Sequence, residues 1–422
     1  MVTTGVGLMA ATHMLGHGSN PKDSTSAVSA PLPPALPMVS SAPAPGARVS
    51  NLPAVQPATP EGRLIQVYRA ISDNRMAQAL DLAQTLATEM PKFRLAQLVY
   101  ADLLSTRRGD LAAFGGELNR AGAEAGAEVD GLREEAAMRL AALRERPPAN
   151  AVPTQFVVLP PDVKHAIAVD VSRARLYLFE NGAQGIRLVA DHYVSIGKQG
   201  AAKLVEGDQK TPLGTYFISD VIDPTTLEDR FGSGALPLNY PSAYDRVSGR
   251  TGSGILLHGV PSKTYSRPPR DTDGCVVLAN EDLKRLATTI VPRGTPVVIA
   301  QKLDWVAANR AQEGSQDFLA ALQQWQQARV ADDVATLAAY YGPAAAAEAT
   351  PAAPPQGARN NRVRKVAAFD ELSVLGWDNN RQVMVVSFRE RGPQGQRARR
   401  VTRQYWAREA GHWKIMSQDP SA

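Results

Sequence analysis

His258 and Cys275 stand 17 positions apart (275 − 258 = 17), and between them they hold the means for nucleophilic acyl transfer. A cysteine attacks as its thiolate, so its ordinary pKa of about 8.5 must be met by a base or lowered. A neighbouring imidazole does this by taking the proton and remaining beside the sulfur as a cation. His258 closes the apolar run Ile255-Leu256-Leu257, which reads as a buried strand whose end makes a rigid platform. Gly274 precedes Cys275 and allows a turn that aims the Gly274 and Cys275 N–H groups at a developing oxyanion. The excursion between the pair contains Pro261, Pro268 and Pro269, and reads as a loop that returns the thiol to the imidazole. The plainer reading stays open on these residues alone: a solitary cysteine is often a small buried hydrophobe, unrelated to any histidine.

Three segments carry the surrounding residues: Lys203 to Tyr216 (KLVEGDQKTPLGTY), Gly252 to Gly259 (GSGILLHG) and Asp271 to Leu278 (DTDGCVVL). Asp208, Thr211 and Pro212 are expected to shape a loop at the cleft floor, with Thr272 and Asp273 beside the cysteine. Tyr216 lines the cleft or belongs to the core. Lys203, Lys210, Arg267 and Arg270 are candidates to hold a substrate carboxylate, or are solvated surface charges. Asp271 or a backbone carbonyl would orient His258. No Cys/His/Asp cluster has metal-ligand spacing, and the chemistry calls for no metal and no cofactor.

The elements that must position these residues follow from periodicity. His165 to Glu180 (HAIAVDVSRARLYLFE) alternates apolar and polar residues, Asn181-Gly182 signals a hairpin turn, and Arg187 to Ile196 would be the return strand. Further strands are predicted near Gly214 to Val221, Gly254 to His258 and Thr295 to Ala300, with a helix at Glu281 to Thr289. This makes 160–301 a β-rich unit. Residues 61–147 read as helical. Leu80, Ala83, Leu86 and Ala87 follow the potential caps Ser72 and Asp73, Pro91 breaks the pattern, and a second helix runs through Leu95, Leu98 and Leu103 before Gly109. Ala123 to Arg144 is one more charged helix. The pair resembles a tetratricopeptide-type hairpin, with a plain helical cap as the simpler alternative. Residues 315–422 predict an apolar helix face (Phe318, Leu322, Trp325), a helix at Asp332 to Tyr341 and an Ala/Pro-rich loop at Gly342 to Asn361. Strands are then predicted at Val383 to Glu390, Val401 to Arg408 and His412 to Gln418, an α+β arrangement.

The rest of the chain bounds its setting. Pro21 to Pro60 is rich in Pro, Ala and Ser and reads as a semi-extended tether. Residues 1–20 are weakly apolar, either an irregular start or an export or anchor segment without its basic leading end. A net charge of +5 suits an anionic wall polymer or membrane surface. No basic run alternates with aromatics, which argues against nucleic acid as a partner. One cysteine excludes an intrachain disulfide.

Taken together the motifs resemble the L,D-transpeptidase catalytic (YkuD) domain family over roughly His165 to Ala300. His258-Gly259, then Thr272-Asp273-Gly274-Cys275, match its histidine-glycine and Ser/Thr-x-Gly-Cys motifs, and Gly207, Asp208, Thr211, Pro212, Gly214 and Tyr216 match its upstream stretch. Asp273 stands where the family often has His, and Val277 where it often has Arg or Asn. The C-terminal residues Tyr405-Trp406 through His412-Trp413-Lys414-Ile415 to Asp419 resemble the closing hairpin of an NTF2-like (SnoaL-like) domain, with Trp377, Trp406 and Trp413 as core. The resemblance implies a multidomain, exported enzyme of the periplasm or cell envelope acting on peptidoglycan stem peptides. Cys275 would be the nucleophile, His258 the general base and acid, and Gly274 an oxyanion donor. It implies transpeptidation, or trimming as an L,D-carboxypeptidase or amidase. Rival readings are a non-catalytic wall-binding module and a cysteine hydrolase of ordinary L,L peptides. A wall-linked protein or another wall enzyme could dock on the helical or NTF2-like region.

Overall fold

Thr59 accepts from the Gly62 N–H at 3.0 Å and Pro60 opens the first helix, Pro60–Ser72. The computed structural model describes residues 59–107, 123–342, 345 and 365–419. The 1–20 segment, nearly all of the 21–60 tether, Gly109 and most of the Gly342–Asn361 loop lie outside them. Helices Met76–Glu89, Arg94–Arg107 and Ala123–Arg144 follow the first. Ser72 and Asp73 do not cap the second helix. They end the first, where the Asp73 N–H donates to the Arg69 carbonyl at 2.9 Å, and the second starts at Met76 with no side-chain cap. The short polar residues that cap a helix start also suit a helix end, and Asn74 at φ 57° supplies the left-handed turn there.

Leu64, Val67, Leu86, Leu95, Leu98 and Leu132 form one core of these helices, and Tyr265 and Ala279 from the β-rich unit complete it. A buried ion-pair network joins the same parts. Glu61 meets Arg139 at 2.8 Å and Arg175 at 2.6 Å, Arg139 meets Glu135 at 2.8 Å, and Arg175 meets Asp191 at 2.7 Å.

The alternation at His165 to Glu180 resolves into two antiparallel strands, His165–Asp170 and Arg175–Gly182, around a single helical turn at Val171–Arg173. The buried Asp170 carboxylate makes that turn by accepting from Ser172 Oγ at 2.7 Å and the Arg173 N–H at 3.1 Å, with Ala174 left-handed at φ 50°. The strand Gly185–Tyr193 pairs back as far as Gly182↔Gly185, so the connecting loop is Ala183-Gln184 and not Asn181-Gly182. Strand Pro296–Ala300 runs parallel to His165–Asp170 and antiparallel to Gly214–Phe217, closing a five-stranded sheet. A smaller sheet places Leu256–His258 between Ala235–Pro237 and Val276–Val277, and helix Asn280–Thr289 follows directly.

The C-terminal part has helices Gln316–Ala331 and Val334–Ala338, then antiparallel strands Ala368–Gly376, Val383–Arg391, Thr402–Glu409 and His412–Asp419. The first of these strands is additional to the three expected. A fifth strand on this sheet is Phe156–Val158, from the segment just before 160. Trp325 and Trp406 fill the helix side of the sheet with Phe318 and Phe388, while Trp377 and Tyr405 face the β-rich unit and share its core. Among the described residues no helix is long and apolar enough to cross a membrane.

Candidate active site

Parallel pairing of Leu256–His258 with Val276–Val277 sets Val276 opposite Leu257 and Val277 opposite His258, so Cys275 enters the head of the strand beside the histidine's own. The His258 side chain is buried, and Nδ1 lies 2.7 Å from the Gly259 carbonyl. A carbonyl only accepts, so Nδ1 carries the proton and Nε2 keeps its lone pair. The orienting group is therefore that backbone carbonyl and not Asp271. The Phe231 ring meets the imidazole edge-on at 5.2 Å. Burial lowers the His258 pKa to about 4, the nearby charges of Arg267 and Arg230 add to this, and the Gly259 carbonyl opposes it.

Cys275 is half-buried, and its thiol points at the Gly254 carbonyl, 3.6 Å away. Burial raises its pKa and the Asp273 charge adds to this, while the Leu256 N–H and the charges of Arg267 and Arg230 act in the opposite direction. At rest both groups are thus held neutral. Gly274 adopts φ 125°, and a Cβ there would lie 2.7 Å from the Lys210 carbonyl oxygen, so only glycine makes this turn. Thr272 Oγ1 ties it down, accepting from the Gly274 N–H at 3.1 Å and donating to the Cys275 carbonyl at 2.7 Å. The Gly274 N–H is therefore already engaged, contrary to its expected availability for an oxyanion.

The other expected residues divide. Asp208 shapes its loop, as expected. It is the hub of its loop, accepting from Lys203 Nζ at 2.8 Å and from the Leu204, Val205 and Lys210 N–H groups. Burial works to raise its pKa, but those donors hold it at about 2. Lys203 is accordingly buried against Asp208 and not free for substrate. Thr211 is buried, and its Oγ1 accepts from the Gly197 N–H at 2.9 Å. Of the two readings of Tyr216, it is the core that holds it, between Tyr240 and Trp377. Asp273 is exposed at the rim and meets Lys198 at 3.2 Å and Gln209 at 3.0 Å. Arg270 pairs with Glu134. Arg267 remains beside the dyad, donating to the Asp271 carbonyl at 3.1 Å. Arg230 and Phe231 were not legible in the sequence, because they come from a turn between the motifs and carry no motif of their own.

The loop from His258 to Cys275 is gripped from both sides. On one side Tyr193 Oη donates to the Arg267 carbonyl at 2.9 Å and Ser195 Oγ to the Pro268 carbonyl at 2.6 Å. On the other, Ser266 Oγ donates to Glu135 at 2.8 Å, the Tyr265 N–H to the Lys92 carbonyl at 3.2 Å, and Tyr265 packs on Phe93 at 4.3 Å. A Cβ on Gly131 would lie 2.8 Å from Pro268 Cγ, so the helix Ala123–Arg144 presses directly on this loop.

Residues 164–299 match the family model of the L,D-transpeptidase catalytic domain, YkuD, and this part of the chain is such a domain. Among solved structures the chain is similar to Bd1075 of Bdellovibrio bacteriovorus, at 21% identity and TM-score 0.51, covering 64% of this chain and 98% of that one. This likeness shows a shared fold. The helical cell shape determining protein Pgp2 of Campylobacter jejuni aligns at 20% identity and TM-score 0.47, covering 64% of this chain and 94% of that one. No curated protein matches the chain.

Proposed function

We propose, from the L,D-transpeptidase catalytic domain at residues 164–299, that this is an exported enzyme of the periplasm or cell envelope that remodels peptidoglycan through a thioester on Cys275. The observation that carries the reading is the pairing of an imidazole, fixed by the Gly259 carbonyl, with a thiol at the head of the adjacent parallel strand. His258 Nε2 takes the thiol proton as Sγ attacks the carbonyl between the L-centre of a diamino acid and a D-amino acid. The C–N bond then breaks, the imidazolium returns the proton to the leaving nitrogen, and the acyl group stays on sulfur. An amine or water next attacks the thioester and gives its proton to Nε2. The C–S bond breaks and Sγ recovers a proton. The Cys275 N–H receives the oxyanion, joined by Gly274 when the Thr272 hydroxyl releases it. Arg267 and Arg230, whose charges reach both members of the dyad, would hold a stem carboxylate.

A hydrolytic outcome, as L,D-carboxypeptidase or amidase, is the second reading. It is favoured by Val277, whose buried apolar side chain supplies no charge of its own, so that Arg267 and Arg230, already engaged with the stem carboxylate, leave no second cation at that position for an incoming amine's carboxylate. Around the catalytic unit of 160–301, the 315–422 part is proposed to be NTF2-like, with Phe156–Val158 as an added strand. It and the 61–147 helices are proposed surfaces for a wall-linked protein or another wall enzyme. The test is incubation with tetrapeptide-stem muropeptides, with and without an amine acceptor, beside Cys275→Ala, followed by mass. Amine-exchanged or cross-linked product that needs Cys275 supports transfer, and shortened stems alone support trimming. No Cys275-dependent product in either arm removes the catalytic reading.

A further inference from the structure

Away from the dyad, the seam between the β-rich unit and the C-terminal sheet forms an open cavity of about 440 Å³. Phe217, Ile218 and Asn239 line it with three arginines, Arg293, Arg400 and Arg403, and it shares no lining residue with the surroundings of His258 and Cys275 described above. Its volume lies in the range that holds a small organic ligand. Arg403 is 3% exposed and stands on strand Thr402–Glu409, two residues before Tyr405, which belongs to the shared core. Its guanidinium lies 3.4 Å from the Phe217 ring centroid, and Nε donates to Ser387 Oγ at 3.2 Å. Arg293 is held at φ 64°, a strained conformation for a bulky residue, with its N–H on the Ile218 carbonyl at 2.6 Å.

The cavity lining contains no acid; Arg293 and Arg400 are exposed, and Asp419, opposite Arg403 on the neighbouring strand, acts on the buried guanidinium by charge from outside the lining. The other buried arginines are satisfied within the protein: Arg139 and Arg175 each meet two carboxylates, and Arg381 donates to the Thr154 and Ala311 carbonyls and to Ser315 Oγ, whereas the hydrogen bond of the Arg403 guanidinium is the one to Ser387 Oγ. A buried guanidinium keeps its charge, and a charge removed from water without a counter-ion is costly. An aromatic face offsets part of that cost. Burial lowers the Arg403 pKa, and Tyr405 and the charge of Asp419 oppose this only in part.

We propose that this cavity binds an oxyanion, a carboxylate or a phosphate carried on a partly apolar body, with Arg403 as the buried anchor and Arg293 and Arg400 at the rim. The apolar part would lie toward Phe217. The test uses the full chain at fixed ionic strength, titrated calorimetrically with inorganic pyrophosphate in one arm and N-acetylmuramic acid in the other, with Tm followed in parallel. Saturable one-site binding with a rise in Tm is expected in at least one arm, and the responding arm tells a phosphate source from a carboxylate source. Arg293→Ala with Arg400→Ala, both exposed in the parent, should weaken that binding about tenfold or more and leave acylation of Cys275 unchanged. Arg403→Gln should abolish it while leaving the ligand-free Tm equal or higher, since a merely structural arginine would lower Tm on removal. Should Arg403→Gln fail to fold, the double variant decides. Absence of saturation in both arms, or saturation that survives the double variant, overturns the proposal.

Discussion

Burial sets the reactivity of His258 and Cys275 by keeping both neutral, so the thiolate forms only as the imidazole takes its proton during attack. This makes the pH behaviour specific. Acylation of Cys275 by a strained amide such as a carbapenem should continue from neutral pH down to about 5, and fall only as His258 protonates near its lowered value of about 4. Intact-mass kinetics across pH 3.5–8 check this, and a rate that instead follows an ordinary thiol titration contradicts it. The same shift bears on stability. A histidine whose folded pKa lies below its ordinary 6.5 favours the folded state fully above pH 6.5, and that contribution is lost as pH falls from 6.5 toward about 4. Urea midpoints at pH 7 and pH 5 should therefore differ more for the parent than for His258→Gln. Thr272→Val removes the hydroxyl that joins the Gly274 N–H to the Cys275 carbonyl, and should cost about 1–3 kcal/mol in stability or in kcat/KM. Denaturation and single-turnover acylation read the two separately.

At the scale of elements, the spacing of the dyad depends on how the loop between its members is held. Gly131→Ala brings a methyl group to 2.8 Å from Pro268 Cγ, on a helix whose own propensity alanine improves. The expected result is little change in Tm with a fall in kcat of up to about a hundredfold, the cost of misplacing a reacting group by about 1 Å. Unchanged turnover would mean that the loop yields without moving the dyad. None of this grip was legible in the sequence, because Glu135 and Gly131 lie on a helix whose periodicity speaks only of burial, and Phe93 stands in the short link before the next helix start. The motifs themselves were legible, since His258-Gly259 and Gly274-Cys275 combine rare residue types with a glycine that the turn requires. The hairpin was misplaced by local chemistry: Asn181-Gly182 advertises a turn but stays in the strand, while Ser172-Arg173-Ala174 turns without glycine because Asp170 caps it. Tyr216 sits in a motif yet belongs to the core, since a motif residue can serve the platform as well as the cleft.

For the whole molecule, the C-terminal sheet is built into the β-rich unit. Trp377 lies 5.3 Å from Tyr216, 5.1 Å from Tyr244 and 5.9 Å from Tyr405, ring to ring, and Phe156–Val158 adds a strand to the far sheet. Trp377→Ala should destabilise by about 3–5 kcal/mol, measured by urea denaturation. Ending the chain at 314 should leave the β-rich unit insoluble, with a bared strand edge and exposed aromatic rings. Soluble, folded protein from that truncation would show the two parts to be separable. The grip of the Ala123–Arg144 helix on the loop has a consequence for heredity. Positions 131 and 268 are far apart in the sequence but cannot vary freely of one another: a lineage that keeps proline at 268 must keep glycine at 131, and one that loses the proline is released from it. Glu135 with Ser266 is tied by a part-buried hydrogen bond, while the exposed pair of Glu134 with Arg270 is free to drift, so the helical region and the loop should be inherited together where they touch and not at their surface.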